Sequence, residues 1–296
     1  MEDIALGLLV QTLVNGLVLG AGYAVVAVGL TLIFGIVGIA NFAHGAFFAV
    51  GAYACYLLTA RGLNYFLAVP LSVIIVVLVG GLTEWVVIRR SVYGEARHGS
   101  LIVTFAIGQA VVAGLILIFG PDPLPVASPL GQSTLRFLGV FVTSQRAFIV
   151  ACSILVLGAL GLWLRLSVKG QQVIAVSENP RGALYSGIDV PWIRAVAFVL
   201  GVAAAGLAGV LLGPISTIYP TMGNGALIVG FTVVILGGMG SISGAMLGAL
   251  LIGVANAMFE TFVSVSWTPA LGWCLVIITL LVRPQGLIGQ IQQHRH

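Results

Sequence analysis

Charge is what this sequence has least of. Only 7% of its 296 residues are Asp, Glu, Lys or Arg, against roughly 25% in an ordinary soluble protein. So small a charged fraction cannot clothe a water-facing surface. With 60% hydrophobic residues and a mean hydropathy of +1.17, the chain is expected to be an integral membrane protein. Lysine is nearly absent: Lys169, in "RLSVKGQQ", stands alone, so there is no GxxxxGK[ST] phosphate loop. Cysteine is sparse as well. Cys55, Cys152 and Cys274 lie in separate apolar runs without CxxC spacing, which argues against a disulfide framework or metal site and leaves them as packing residues. No Ser/His/Asp or zinc-ligand grouping is visible, so neither enzymatic chemistry nor a cofactor is expected. The net charge of +4 comes from basic residues in short loops, where it reports membrane orientation and not nucleic-acid binding. The start, "MEDIALGLLVQTLVNG", lacks a basic n-region and a small-residue cleavage site, and is expected to open the first span.

What the sequence has in abundance is long apolar runs. A span needs about 20 such residues. The candidate runs are Ile4–Leu30, His44–Thr59, Phe66–Ile88, Leu101–Phe119, Ala147–Leu166, Ile193–Ile215, Ala226–Leu236, Ala245–Phe262 and Leu271–Val282. Thr31–Ala43 is too interrupted to count separately and Ala226–Leu236 is short. The expectation is an all-α, polytopic membrane protein with about eight transmembrane helices, forming one transmembrane domain over residues 1–296. Basic residues cluster at Arg89, Arg90 and Arg97, between Arg165 and Arg194 with Lys169 and Arg181, and at Arg283 and Arg295. These segments, the C-terminus included, should face the cytoplasm. Opposite them fall "SVSWTP" and the Pro-rich stretch "PDPLPVASPLGQSTLRFLGVFVTSQR", although the latter contains Arg136 and Arg146. Glu2 and Asp3 fit an outside N-terminus. Forty glycines without a Gly-X-Y period point to close helix packing in lipid.

Two apolar runs are broken by Gly and small polar residues and then resume as helices. The first is "GIANFAHGAFFAVGAY", Gly38–Tyr53, where Asn41 is placed to cap the helix through Phe47 and Tyr53, and His44 and Gly45 follow. The second is "LGGMGSISGAMLGALLIG", Leu236–Gly253, where Ser241 or Ser243 is placed to cap. Gly240, Gly244 and Gly248 recur there at four-residue spacing and predict a groove for a neighbouring helix. Paired breaks of this kind point to a transport pathway, with re-entrant turns that serve only packing as the alternative reading. His44 is open to two readings, an interhelical hydrogen bond or contact with substrate or protons. Gln109, Asn15 and Asn256 read as interhelical hydrogen-bonding groups. Glu84 precedes Arg89 and Arg90 near a span end, and Glu260 sits near another. No span centre carries an acidic residue placed as a proton or sodium relay.

The sharpest feature outside the spans is "VSENPRGALYSGIDVPW", Val176–Trp192. Asn179 followed by Pro180 predicts an N-cap with proline at the first helical position, and Gly187 a left-handed terminator. The short helix between them is expected to expose Arg181, Ala183, Leu184 and Tyr185 on the cytoplasmic face. Helices shorter than about 12–15 residues are marginal in water, so this one should dock, on another protein or on its own bundle.

Four blocks resemble the membrane permease subunit of branched-chain amino acid ABC importers. They are "GLTLIFGIVGIANFAHGAFFAVGAY", "SENPRGALYSGIDVPWIRAVAFVLGVAAAGLAGVL", "VILGGMGSISGAMLGALLIG" and "LLVRPQGLIG", and together they span nearly the whole chain in order. The resemblance implies a multi-pass subunit of the bacterial inner membrane that pairs with a second, related permease. It also implies two cytoplasmic ATPase subunits and a periplasmic or lipid-anchored binding protein delivering leucine, isoleucine or valine. Asn179–Gly187 then matches the coupling helix that seats in an ATPase cleft, and Pro121–Gln145 contributes to the surface facing the binding protein. One departure stands out: where members often carry a more charged, Ala-rich run, this chain has "NPRGALYSG". Related importers take urea or short amides, and a secondary transporter or passive channel for a small neutral solute is the rival class.

Overall fold

A peptide group in hydrocarbon must find its hydrogen bond within the protein, which leaves helices as the economical structure for these apolar runs. The computed structural model describes residues 2–91, 99–131, 133–137, 140–283 and 285–288, so Arg97 and Arg295 lie outside the described residues. The helices are α1 (Glu2–Val37), α2 (His44–Ala60), α3 (Tyr65–Thr83), α4 (Arg89–Ser91), α5 (Ser100–Phe119), α6 (Ser144–Leu166), α7 (Val168–Glu178), α8 (Pro180–Tyr185), α9 (Val190–Leu212), α10 (Met222–Gly237), α11 (Ile242–Phe262) and α12 (Thr268–Val282). A π-helical turn, Glu84–Ile88, joins α3 to α4.

Six helical stretches are long and apolar enough to cross a membrane, and the apolar helices His44–Ala60, Met222–Gly237 and Ala270–Val282 are shorter. The expected first run ended at Leu30, whereas α1 continues to Val37. Thr31 does not interrupt it, because its hydroxyl donates to the Ala27 carbonyl at 2.7 Å and so satisfies itself within the helix. α1 is apolar all round and correspondingly central, packing against α6, α9, α10 and α11.

Small residues set the closest crossings. A Cβ on Gly45 of α2 would run into the carbonyl of Gly223 on α10, and one on Gly51 into the carbonyl of Gly206 on α9. α2 therefore lies against two neighbours at a backbone separation that only glycine permits there.

The two ends of the bundle are built differently. At one end, short antiparallel strands break the all-helical expectation: Leu124–Pro125 pairs with Thr217–Ile218, and Thr134–Phe137 forms a hairpin with Val140–Thr143. Gln11, near the start of α1, exchanges two hydrogen bonds of 2.9 Å with the Phe141 backbone and so pins that hairpin. Gln145, almost fully buried, donates to Tyr65 Oη and to the Leu211 carbonyl, and accepts from Ser128 Oγ at 2.8 Å. At the other end α7 and α8 lie across the last turns of α1.

Candidate functional site

The first break spans residues 38–43. Gly38 turns the chain out of α1 with φ +77°, a conformation open to glycine and strained for other residues. Asn41 does not cap α2 as expected. The cap position is Ala43, which makes no side-chain cap bond, and Asn41 Oδ1 instead accepts from the Ala43 N–H at 3.1 Å. That is a turn bond two residues on, not the N2 or N3 contact of an N-cap. His44 is fully buried. Its Nε2 lies 3.0 Å from the Val26 carbonyl, which makes it the protonated donor and ties the start of α2 to α1. His44 Nδ1 and Asn41 Nδ2 have no hydrogen-bond partner among the described residues. Besides Gly38, Phe42 of this break reaches the surface, 38% exposed, with its ring 5.3 Å from that of Phe231 on α10. Its N–H donates to Thr104 Oγ1 of α5 at 3.3 Å. Sequence reasoning passed over Phe42 because an apolar residue in an apolar run carries no signal. Its position between Asn41 and His44 was the available clue.

The second break, between α10 and α11, places Gly238 and Gly240 at φ +105° and +89°. Ser241 caps α11, accepting from the Gly244 N–H at 3.1 Å, while Ser243 is exposed. Of the three glycines expected to form one groove, Gly244 and Gly248 do face a helix. Gly244 meets the Gly237 carbonyl, and a Cβ on Gly248 would lie 2.9 Å from the Val233 carbonyl. Gly240 sits in the turn outside the helix, 3.5 Å from where a Gly35 Cβ would be. The two breaks are thus set apart: Asn41, His44 and Gly45 are interior, and Gly240, Ser241 and Ser243 lie at one end of the bundle.

α8 forms as its sequence dictates. Asn179 Oδ1 accepts from the Gly182 N–H at 2.9 Å, Pro180 occupies the first turn, and Gly187 closes the helix at φ +79°. Two backbone bonds complete that end, Gly187 N–H to the Leu184 carbonyl and Ile188 N–H to the Ala183 carbonyl, both 3.0 Å. Arg181, Leu184 and Tyr185 are exposed, the last two by 58% and 88%. Ala183 corrects the expectation of exposure. It is 5% exposed and packs in a cluster with Leu32 and Ile36 of α1, Leu164 of α6, Val173 and Val176 of α7, and Val190 and Ile193 of α9. Ile242, the first residue of α11, packs against the same cluster. One face of α8 is therefore seated on residues that flank both breaks, Leu32 and Ile36 before the first and Ile242 after the second, and its opposite face is open.

Residues 12–282 match the family described as branched-chain amino acid transport system / permease component. The chain is 32% identical to the high-affinity branched-chain amino acid transport system permease protein LivH of Salmonella typhimurium, covering 95% of each. It is 28% identical to the permease protein LivM of the same system and organism, over 90% of this chain and 67% of that one. Among solved structures it resembles PsaBC from Streptococcus pneumoniae in complex with Fab, with a TM-score of 0.52, 11% identity and coverage of 92% and 91%. At that identity the likeness speaks for the fold alone, that of a helical membrane protein. A profile that matches nearly the whole chain and a relative above 30% identity end to end settle the family: the chain belongs to the branched-chain amino acid transport system permease components.

Proposed function

We propose that this chain is one permease subunit of an ATP-driven importer of branched-chain amino acids in the bacterial inner membrane, working as a single transmembrane domain with a cytoplasmic C-terminus. The observation that carries the reading is α8: a well-capped two-turn helix with one face seated on α1 and the other bare, in a chain with no phosphate loop of its own. ATP hydrolysis belongs to two cytoplasmic ATPase subunits that take the exposed face of α8. A second, related permease completes the pathway, a pairing supported by the similarity to both LivH and LivM. A periplasmic or lipid-anchored amino-acid-binding protein docks at the opposite end, on the surface that includes the loop from Pro121 to Gln145.

The mechanism follows from the packing. Movement of an ATPase against Leu184 and Tyr185 is passed by Ala183 to Leu32 and Ile36, within two turns of Gly38, and to Ile242 beside Ser241. The half-buried and glycine-flanked segments 38–43 and 238–241 are where rigid helices can change direction, so both breaks answer to one input. Asn41, His44 and Gly45 border the path at the first break, and Gly240, Ser241, Ser243 and Gly244 at the second. The shorter helices α2, α10 and α12 complete crossings with the irregular segments beside them.

The direct test is gentle extraction of the tagged chain from its native membrane, followed by mass spectrometry of what accompanies it. ATPases bearing the phosphate loop and a sister permease are expected. Recovery of the chain alone, catalysing solute flux in liposomes without ATP, would overturn the importer reading.

A further inference from the structure

The outer surfaces of α3 and α5 are both apolar toward their ends, with Leu101, Ile102, Phe105, Leu117 and Ile118 on α5, and differ at their centres. Both are sparsely covered: 22% of the span containing α3 is buried and 17% of α5. The exposed face of α3 is uniformly large and apolar, with Phe66, Leu67, Leu71, Ile74, Leu78 and Leu82. Such a face meets lipid tails at no cost. The exposed face of α5 is interrupted at its centre by Ala106, Gln109, Ala110 and Ala113. Gln109 is the tenth of the twenty residues of α5, so its amide stands at mid-membrane depth. No hydrogen bond to it exists among the described residues. Lipid tails supply neither donor nor acceptor, and an amide left facing them is costly.

A second observation falls on the same side of the molecule. The first break packs directly on α5: a Cβ on Gly108, the residue before Gln109, would lie 3.5 Å from the Phe42 carbonyl oxygen and the Ala43 Cα. Gly38 and Phe42 of that break are exposed. Irregular backbone is tolerated at membrane depth only when protein covers it or it lines a water-filled cavity. Within this chain Ile39, Asn41 and Ala43 of the break are buried, and Gly38 and the Phe42 side chain are what it leaves open.

We infer that the face formed by the centre of α5 and the first break is the seam on which the second permease subunit packs, with the Gln109 amide hydrogen-bonding across it. The small residues around Gln109 let a helix of the partner approach closely, and the partner's backbone or polar side chains complete the amide. The face of α3 is left to lipid. This inference rests on the importer reading, which supplies the second permease; the assignment of the face comes from the side chains.

The test is site-specific photocrosslinking in native membranes holding the whole transporter. A benzophenone amino acid replaces Gln109 in one variant and Ile74 of α3 in another. Position 109 is expected to give an adduct with the second permease, and position 74 none. A protein adduct from 74 with silence at 109 overturns the inference, as does an adduct at 109 with a second copy of this chain. Unirradiated membranes are extracted in parallel. If the sister permease co-purifies while 109 stays silent, the seam lies elsewhere and the importer reading stands. If no permease co-purifies, both fail together. As a further variant, Gln109→Leu should weaken recovery of the sister permease about threefold to tenfold, the range of one interhelical hydrogen bond in a bilayer. Undiminished recovery overturns the hydrogen bond.

Discussion

At the scale of the residue, the glycines of this chain separate into those that hold helices together and those that do not. Gly244 and Gly225 sit on neighbouring helices and look alike in sequence. Gly244 faces the carbonyl of Gly237 across the α10–α11 hairpin, whereas a Cβ on Gly225 would meet nothing within 4 Å. Gly244→Leu must therefore force the hairpin open, an overpacking effect of about 1–3 kcal/mol or more. Monodisperse protein should be lost in detergent size-exclusion profiles. Gly225→Ala should leave yield and melting temperature unchanged or slightly raised, since alanine in a helix is favoured over glycine by roughly 0.5–1 kcal/mol. A stable Gly244→Leu protein with normal uptake would mean that the close approach does not matter. Ser241 offers a milder case. Its hydroxyl caps α11, and Ser241→Ala should cost about 1 kcal/mol, seen as a modest drop in melting temperature with the fold intact.

At the scale of the element, α8 was legible because its instructions are local: Asn179, Pro180 and Gly187 each act within four residues of themselves. Its orientation was not legible. The burial of Ala183 depends on Leu32 and Ile36, about 150 residues away in sequence, and a six-residue helix has no periodicity long enough to announce a face. The breaks divide in the same way. Ser241 caps by proximity, so its role could be read from the sequence. Asn41 looked equivalent, but the turn after Gly38 is shaped by contacts with Thr104 and Gly108 of α5, and helix α2 starts two residues later than a cap at Asn41 requires. The span count failed to resolve for a related reason: hydropathy measures runs, and α2, α10 and Ala270–Val282 are apolar helices shorter than the six that are long enough to cross. The two faces of α8 make separable predictions. Leu184→Asp alters only the exposed face and should abolish uptake while leaving insertion, yield and the binding protein's affinity unchanged. Ala183→Asp places a charge in the cluster with Val173 and Val176 and should reduce the yield of folded protein several-fold. Full transport by the Leu184→Asp variant would remove α8 from the coupling role.

At the scale of the whole molecule, the distribution of charge decides which energy source the chain can use. A carrier driven by protons or sodium needs an ionisable group within the membrane that changes state as the path changes side. The buried acidic residue among the described ones, Glu84, lies in the π-helical turn just before Arg89 and Arg90, and Glu260 lies near the end of α11. Neither stands at a span centre. His44 is the ionisable group at the first break, but it is enclosed by α1 and its Nε2–H is engaged by the Val26 carbonyl, so it serves as a fixed tether between two helices. Uptake should therefore be indifferent to collapse of the proton or sodium gradient so long as internal ATP is held constant, and should stop when ATP turnover is blocked. The measurement is radiolabelled leucine uptake into proteoliposomes that hold the complete transporter and an ATP-regenerating system, with and without a protonophore, a sodium ionophore or vanadate. Loss of uptake with vanadate alone is the expected pattern. Loss with an ionophore at constant ATP would show that an ion gradient drives this chain, and would reopen His44 and Glu260 as coupling groups.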